Sequence, residues 1–311
     1  MPKSSQIQES LIRYRRFWIS GNTDILSDSI SQAGQAGGNN VGRIGRGWQL
    51  TKLSFSVIRQ DKELLLFPLI SGIMIMAIAA SFIVPWFMLG TFTGNIDIAF
   101  IVFWIVFYFV SFFVSTFFNV ALMGCTMKRL DGGDPTFGYG IIFAAERIKY
   151  IVEWALVAAT IGLILKALEE RAGSLGKIVV GLIGIAWAIT SYFAVPAMAF
   201  EKLSPLKALK RGASILKTTW GEVIISNLGV GIIFFILALL GILIMPLGFA
   251  LGGITGGIIT MVIAVVYWII IGLVSTAVSG VLHTALYRYA ITGKTTAHFP
   301  TSALQNPWSL S

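Results

Sequence analysis

Residues 64–90 contain no charged side chain. At 1.5 Å per residue a helix of that length exceeds the hydrocarbon core of a bilayer, which is about 30 Å thick. Residues 98–124, 178–200, 223–251 and 258–282 are similarly apolar. The whole chain is 56% hydrophobic and 12% charged, about half the charged share of a soluble domain. These stretches predict an all-α, polytopic membrane protein of six transmembrane helices. The third span is the weakest, because Glu153 and Lys166 leave only 154–165 uncharged. It crosses if Lys149 and Lys166 snorkel to opposite interfaces.

The net charge of +9 lies between the spans. Nine Lys and Arg precede the first span, four lie between the second and third, five between the fourth and fifth, and two in the tail. Only Lys166, Arg171 and Lys177 fall on the other side. Twenty against three predicts a cell-membrane protein with both termini cytoplasmic. The same bias accounts for the basic composition without nucleic acid as a partner. The first twenty residues have no apolar h-region, so the first span is expected to direct insertion.

Three parts follow: a cytoplasmic arm and linker over 1–42, a membrane domain over 43–292, and a tail over 293–311. In the arm, Leu11, Ile12, Tyr14, Phe17, Trp18 and Ile19 alternate with Arg13, Arg15 and Arg16. That run reads either as an interfacial helix or as a disordered tail.

Residues 41–60 carry a polar stripe of Arg43, Arg46, Gln49, Lys52, Ser56 and Arg59, with Ile44, Trp48, Leu53, Phe55 and Ile58 elsewhere on the helix. After Lys128 and Arg129, the run Asp131-Gly132-Gly133-Asp134-Pro135 predicts a turn and a helix capped by Asp134. Residues 167–177 read as a loop. Ser204-Pro205 starts a third amphipathic helix with Leu206, Leu209, Ala213, Leu216 and Trp220 as its apolar face.

The joints repeat. Arg46-Gly47 with Lys52 and Phe55 parallels Arg211-Gly212 with Lys217 and Trp220. Val84-Pro85 through Gly90 parallels Met245-Pro246 through Gly252, and Asn119 through Met123 parallels Ala194 through Met198. The implied unit is an amphipathic helix followed by a two-span hairpin. Three tandem copies make a pseudo-threefold bundle about an axis along the membrane normal.

The Arg46-Gly47-Trp48 helix, Asp61-Lys62-Glu63-Leu64 before Phe67-Pro68, Phe193-Ala194-Val195-Pro196 and the closing Ala285 to Tyr289 run carry a family likeness. Over residues 41–292 the chain resembles a family of uncharacterised prokaryotic six-span proteins. More distantly, its layout is similar to the membrane domain attached to some glycerophosphodiester phosphodiesterases. The resemblance implies the fold, and its motifs are structural rather than catalytic. No phosphodiesterase activity is expected from these residues.

Acid–base or metal chemistry needs converging carboxylates, imidazoles or thiolates. The chain has one cysteine, Cys125, read as a packing residue, and two histidines, His283 and His298. His283 reads as packing at the interface. No catalytic, metal or cofactor site is expected, and the chain is not expected to be an enzyme. Ser115, Thr116, Asn119, Thr190, Ser191, Ser275 and Thr276 are polar residues within spans. They would line a solute path if threefold packing brought them to the axis, or else join helices.

A basic collar of Arg43, Arg46, Lys52, Arg59, Arg147, Lys149, Lys207, Lys210, Arg211 and Lys217 is expected at the cytoplasmic rim. It suits anionic lipid, at about 1 kcal/mol per cation near the surface, or an acidic partner. The functional expectation is a membrane scaffold or accessory subunit contacting lipid and a protein partner or second copy. The alternative is a transporter or channel for a small or amphipathic solute.

Overall fold

The computed structural model describes residues 43–88 and 98–293, and among the described residues there is helix and no strand. The expected arm over 1–42, residues 89–97 and the expected tail from 294 lie outside the described residues. Met1–Gly45 separates from Arg46–Ser311, and of the first unit only residues 43–45 are described.

Helix α1 is Arg43–Gln60. Leu50, Thr51, Ser54, Val57, Ile58 and Asp61 are buried at three- and four-residue spacing and define its packed face. Lys52 and Arg59 are exposed, as the polar stripe predicts. Trp48 and Phe55 are not part of the packed side, being 48% and 47% exposed. A 3-10 turn, Lys62–Leu65, leads straight into α2, Leu66–Met88.

Helix α3 runs Ile98–Leu130, past the span end expected at Gly124, because Cys125, Thr126 and Leu130 are buried rather than released to water. Gly132, at φ 85°, turns the chain. Helix α4, Phe137–Ala145, is capped by Thr136, whose hydroxyl accepts from Tyr139 N, and not by Asp134. Asp134 is held by Arg129 instead.

Helix α5, Ile148–Arg171, is continuous through the segment expected to be marginal. The expected 167–177 loop shrinks to Ala172 and Gly173, with Ala172 extended, before α6 at Ser174–Ser191. Helix α7, Ala194–Glu201, continues that span after a break. Pro196 supplies the cause, since it cannot donate to the carbonyl of Tyr192, four residues earlier.

Helix α8, Pro205–Thr292, starts after Ser204 with proline in its first turn and is a hairpin. The reversal is at Gly253, with φ 58° and ψ −144°. The backbone of 205–252 is helical throughout, so the expected amphipathic helix and fifth span are one element. Its buried face is also one residue out of register with the expectation: Ala208, Gly212 and Ile215 are buried, while Leu206 is 70% exposed. The arms are joined by Tyr267 Oη to Leu237 O at 2.6 Å and Trp268 Nε1 to Ala238 O at 3.0 Å.

Among the described residues, five stretches are long and apolar enough to cross a membrane: Lys62–Val84, Val102–Leu130, Ile148–Arg171, Ser174–Glu201 and Pro246–Thr292. Val230–Leu243 is a shorter apolar helix. Their buried side chains concentrate at one end. The core draws on α3 from Val114 to Leu130, α5 from Ile151 to Ala158, α7, and the two ends of α8 around Ala208 and Val281. Away from it, α6 buries no residue, and between 231 and 276 the described side chains of α8 bury only Gly241, Gly248, Gly257 and Ala264. Small residues there let the two arms approach. Most of the remaining described Leu, Ile, Val and Phe of these halves are exposed, a distribution compatible with a membrane protein.

Candidate functional site

The α1–α2, α3–α4, α4–α5 and α7–α8 connections lie at the packed end, and there the structure places a polar clasp. Arg129, in the last turn of α3, has Nη2 at 3.3 Å from Asp61 Oδ2 and 2.5 Å from Asp134 Oδ1. Asp61 is 5% exposed, and burial raises its carboxyl above the usual range against the opposing pull of Arg129. Two residues beyond α3's Arg129, Asp131 Oδ1 lies 2.6 Å from Arg288 Nη2 of α8. Glu63 accepts a hydrogen bond from Phe137 N and so ties the start of α2 to the start of α4.

A second cluster joins α7 to both ends of α8. Glu201 accepts from Arg211 Nε at 2.9 Å and from the Tyr287 hydroxyl at 2.7 Å. Tyr287 is fully buried and stacks on Phe200 with centroids 5.6 Å apart. Arg147, 8% exposed, lies between α4 and α7, donating to Ala199 O and, at 2.7 Å, to Phe143 O. The guanidinium carbon of Arg147 sits 3.4 Å from the Phe143 ring centroid. A guanidinium suits this place because its planar fork satisfies several acceptors while its face packs on an aromatic ring.

This arrangement divides the expected collar. Arg147 and Arg211 are engaged with internal carbonyls and carboxylate. Lys52, Arg59, Lys149, Lys207 and Lys210 are exposed. The side chains of Arg43, Arg46 and Lys217 lie outside the described residues. Nothing local in the sequence pairs Arg129 with Asp61, Arg288 with Asp131 or Tyr287 with Glu201, whose partners are 68, 157 and 86 residues apart. Acidic residues bracketing a turn beside basic helix ends were the available signal.

The hydroxyls of the expected intramembrane path serve their own helices in several cases. Thr190 donates to Ala186 O, Ser191 to Trp187 O and Thr276 to Gly272 O, each at 2.7 or 2.8 Å. Ser115 is exposed, Thr116 is buried, and Asn119 Oδ1 is buried without a hydrogen bond. Ser275 lines a groove of about 470 Å³ between the arms of α8, otherwise walled by apolar residues including Phe234, Phe235 and Trp268.

Among the described residues no three His, Cys, Asp or Glu come together in a group able to hold a metal. Cys125 is buried and free, with Sγ 3.5 Å from Thr136 O. His283 hydrogen-bonds the backbone of Tyr192, and its Nε2 is buried without a partner. The site as built can join helices and neutralise buried charge, and it leaves selected cations facing outward.

No curated protein matches the chain in sequence. Residues 97–297, from the start of α3 through α8, match the model of DUF6159, a family of unknown function, and the chain belongs to that family.

Proposed function

We propose that the protein is a non-enzymatic multi-pass scaffold or accessory subunit of the cell membrane, contacting anionic lipid and a protein partner or second copy at its cytoplasmic rim. In this reading there are six spans, counting both arms of α8, arranged as three tandem units of amphipathic helix and hairpin in a pseudo-threefold bundle. Both termini are cytoplasmic. The likeness to the membrane domain of some glycerophosphodiester phosphodiesterases concerns layout alone.

One observation carries the reading. Asp61, Asp131, Asp134, Glu63 and Glu201 at the packed end all bind cations, backbone or tyrosine within the chain, while Lys52, Arg59, Lys149, Lys207 and Lys210 are exposed. Such an end is rigid inside and basic outside, which suits a platform better than a reaction centre. Gentle-detergent purification from native membranes tests it. The expected result is a particle retaining anionic phospholipid or a second polypeptide; a lone chain carrying neither overturns the proposal.

A further inference from the structure

The collar is not uniform, and one part of it has the form of a lipid-contacting surface. Trp48, Lys52, Phe55 and Arg59 follow one another at spacings of four, three and four on α1. At 100° per residue they fall within an arc of about 60°. The opposite face is the packed one, with Ser54 and Val57 fully buried and Ile58 at 2%. The stripe therefore carries no core, yet Trp48 and Phe55 expose about half of their surface. Lys52 Nζ lies 5.0 Å above the Trp48 ring, a cation–π contact that keeps cation and aromatic side by side.

Its charge is of one sign. From Trp48 to Gln60 there is no Asp or Glu; beyond it Asp61 is on the packed face against Arg129, and Glu63 is engaged by Phe137 N. In the rest of the expected collar the exposed cations have acidic company: Lys149 is near Glu146 and Glu153 in sequence, and Lys207 and Lys210 are near the Glu201–Arg211 pair. Arg59 stands three positions before Lys62, where the first apolar stretch begins. Amphipathic aromatics and cations at that depth match the headgroup layer, where rings sit among glycerol and phosphate groups and Lys or Arg meets the phosphate.

We infer that this stripe is the protein's anionic-phospholipid contact, with Lys52 and Arg59 on headgroup phosphates and Trp48 and Phe55 seated between lipids. The assignment rests on the lipid-contacting reading above and narrows it to one helix face. Full-length protein in nanodiscs of mixed phosphatidylcholine and phosphatidylglycerol, then extracted for native mass spectrometry, tests it. Wild type is expected to retain phosphatidylglycerol over phosphatidylcholine. Lys52→Gln with Arg59→Gln should lower that preference about 30-fold, from two surface charges, and Lys207→Gln with Lys210→Gln should leave it near wild type. Trp48→Ala with Phe55→Ala should shorten lipid residence at unchanged thermal stability.

Loss confined to the Lys207 and Lys210 variant overturns this assignment and leaves the broader reading standing. Wild type retaining neither lipid nor partner overturns both. Displacement of phosphatidylglycerol by inorganic phosphate, or a dimer abolished by the Trp48 and Phe55 variant, would assign the stripe to free phosphate or to a second copy.

Discussion

His283 lies against Tyr192 with ring centroids 4.0 Å apart and hydrogen-bonds its backbone. The Tyr192 N–H already donates to Ile189 O, so the group available to the imidazole is the carbonyl. That carbonyl is the one Pro196 cannot serve, four residues on, and the break between α6 and α7 falls there. A histidine on α8 thus takes the place of a missing backbone donor on a neighbouring span. Removing the imidazole with His283→Ala should cost about 0.5–1.5 kcal/mol, the net contribution of one hydrogen bond. Pro196→Ala restores an N–H, so the double variant should lose less than His283→Ala does in its own background. Thermal unfolding of the four proteins in detergent decides the matter, and simple additivity would separate the two residues.

Gly212 tests the packing of the same break. A Cβ there would stand 2.9 Å from Ala194 N and 3.0 Å from Phe193 C, both backbone atoms that have little freedom to yield. Gly212→Ala should therefore destabilise by about 1–3 kcal/mol, as overpacking does. Gly162, inside α5, has nothing within 4 Å of the same position. Gly162→Ala should be neutral or stabilising by up to about 1 kcal/mol, from helix propensity. Equal effects of the two changes on the unfolding temperature would contradict the close approach of α8 to the α6–α7 break.

These two positions mark what was legible in the sequence. The uncharged stretches set the helical class, and Ser204-Pro205 set the start of α8, because length, hydropathy and capping are local properties. The register of α8's buried face was not legible: Leu206 is the stronger hydrophobe, but close backbone approach selects Gly212 and Ala208. Asp134 had the composition of a cap and was drawn away by Arg129, leaving the role to Thr136. The clasp was illegible for a similar reason, since Arg147 and Arg211 have the same composition as free collar cations. Only their neighbours in space, Ala199 O and Glu201, distinguish them.

Asp61 and Arg129 should respond unequally to neutralisation. Asp61→Asn removes a carboxylate that burial already disfavours, and Arg129 keeps Asp134. Arg129→Gln leaves Asp61 buried with no cation, which costs about 3–5 kcal/mol where a buried pair is broken on one side. The pH response follows from the raised carboxyl of Asp61. Folded protein takes up a proton at higher pH than the unfolded chain, whose value is 3.8. This group's contribution therefore falls as pH rises through the window above 3.8 and is greatest below it. Asp61→Asn should remove that part of the pH dependence of the unfolding temperature. An unchanged pH profile in Asp61→Asn would show that Asp61 does not titrate there.

The two ligands of Glu201 should also differ in weight. Tyr287 donates at 2.7 Å from a fully buried ring, whereas Arg211 is 43% exposed and its partner carboxylate 30%. A hydrogen bond to a charged acceptor contributes about 1.5–3 kcal/mol, and an ion pair this open to solvent about 0–1 kcal/mol. Tyr287→Phe keeps the stack on Phe200 and loses only the hydroxyl, so it isolates that bond. It should lower the unfolding temperature clearly, while Arg211→Gln should change it little and lose even that effect in high salt. The reverse order would mean that the Arg211 pair, rather than the Tyr287 hydroxyl, holds α7 to α8.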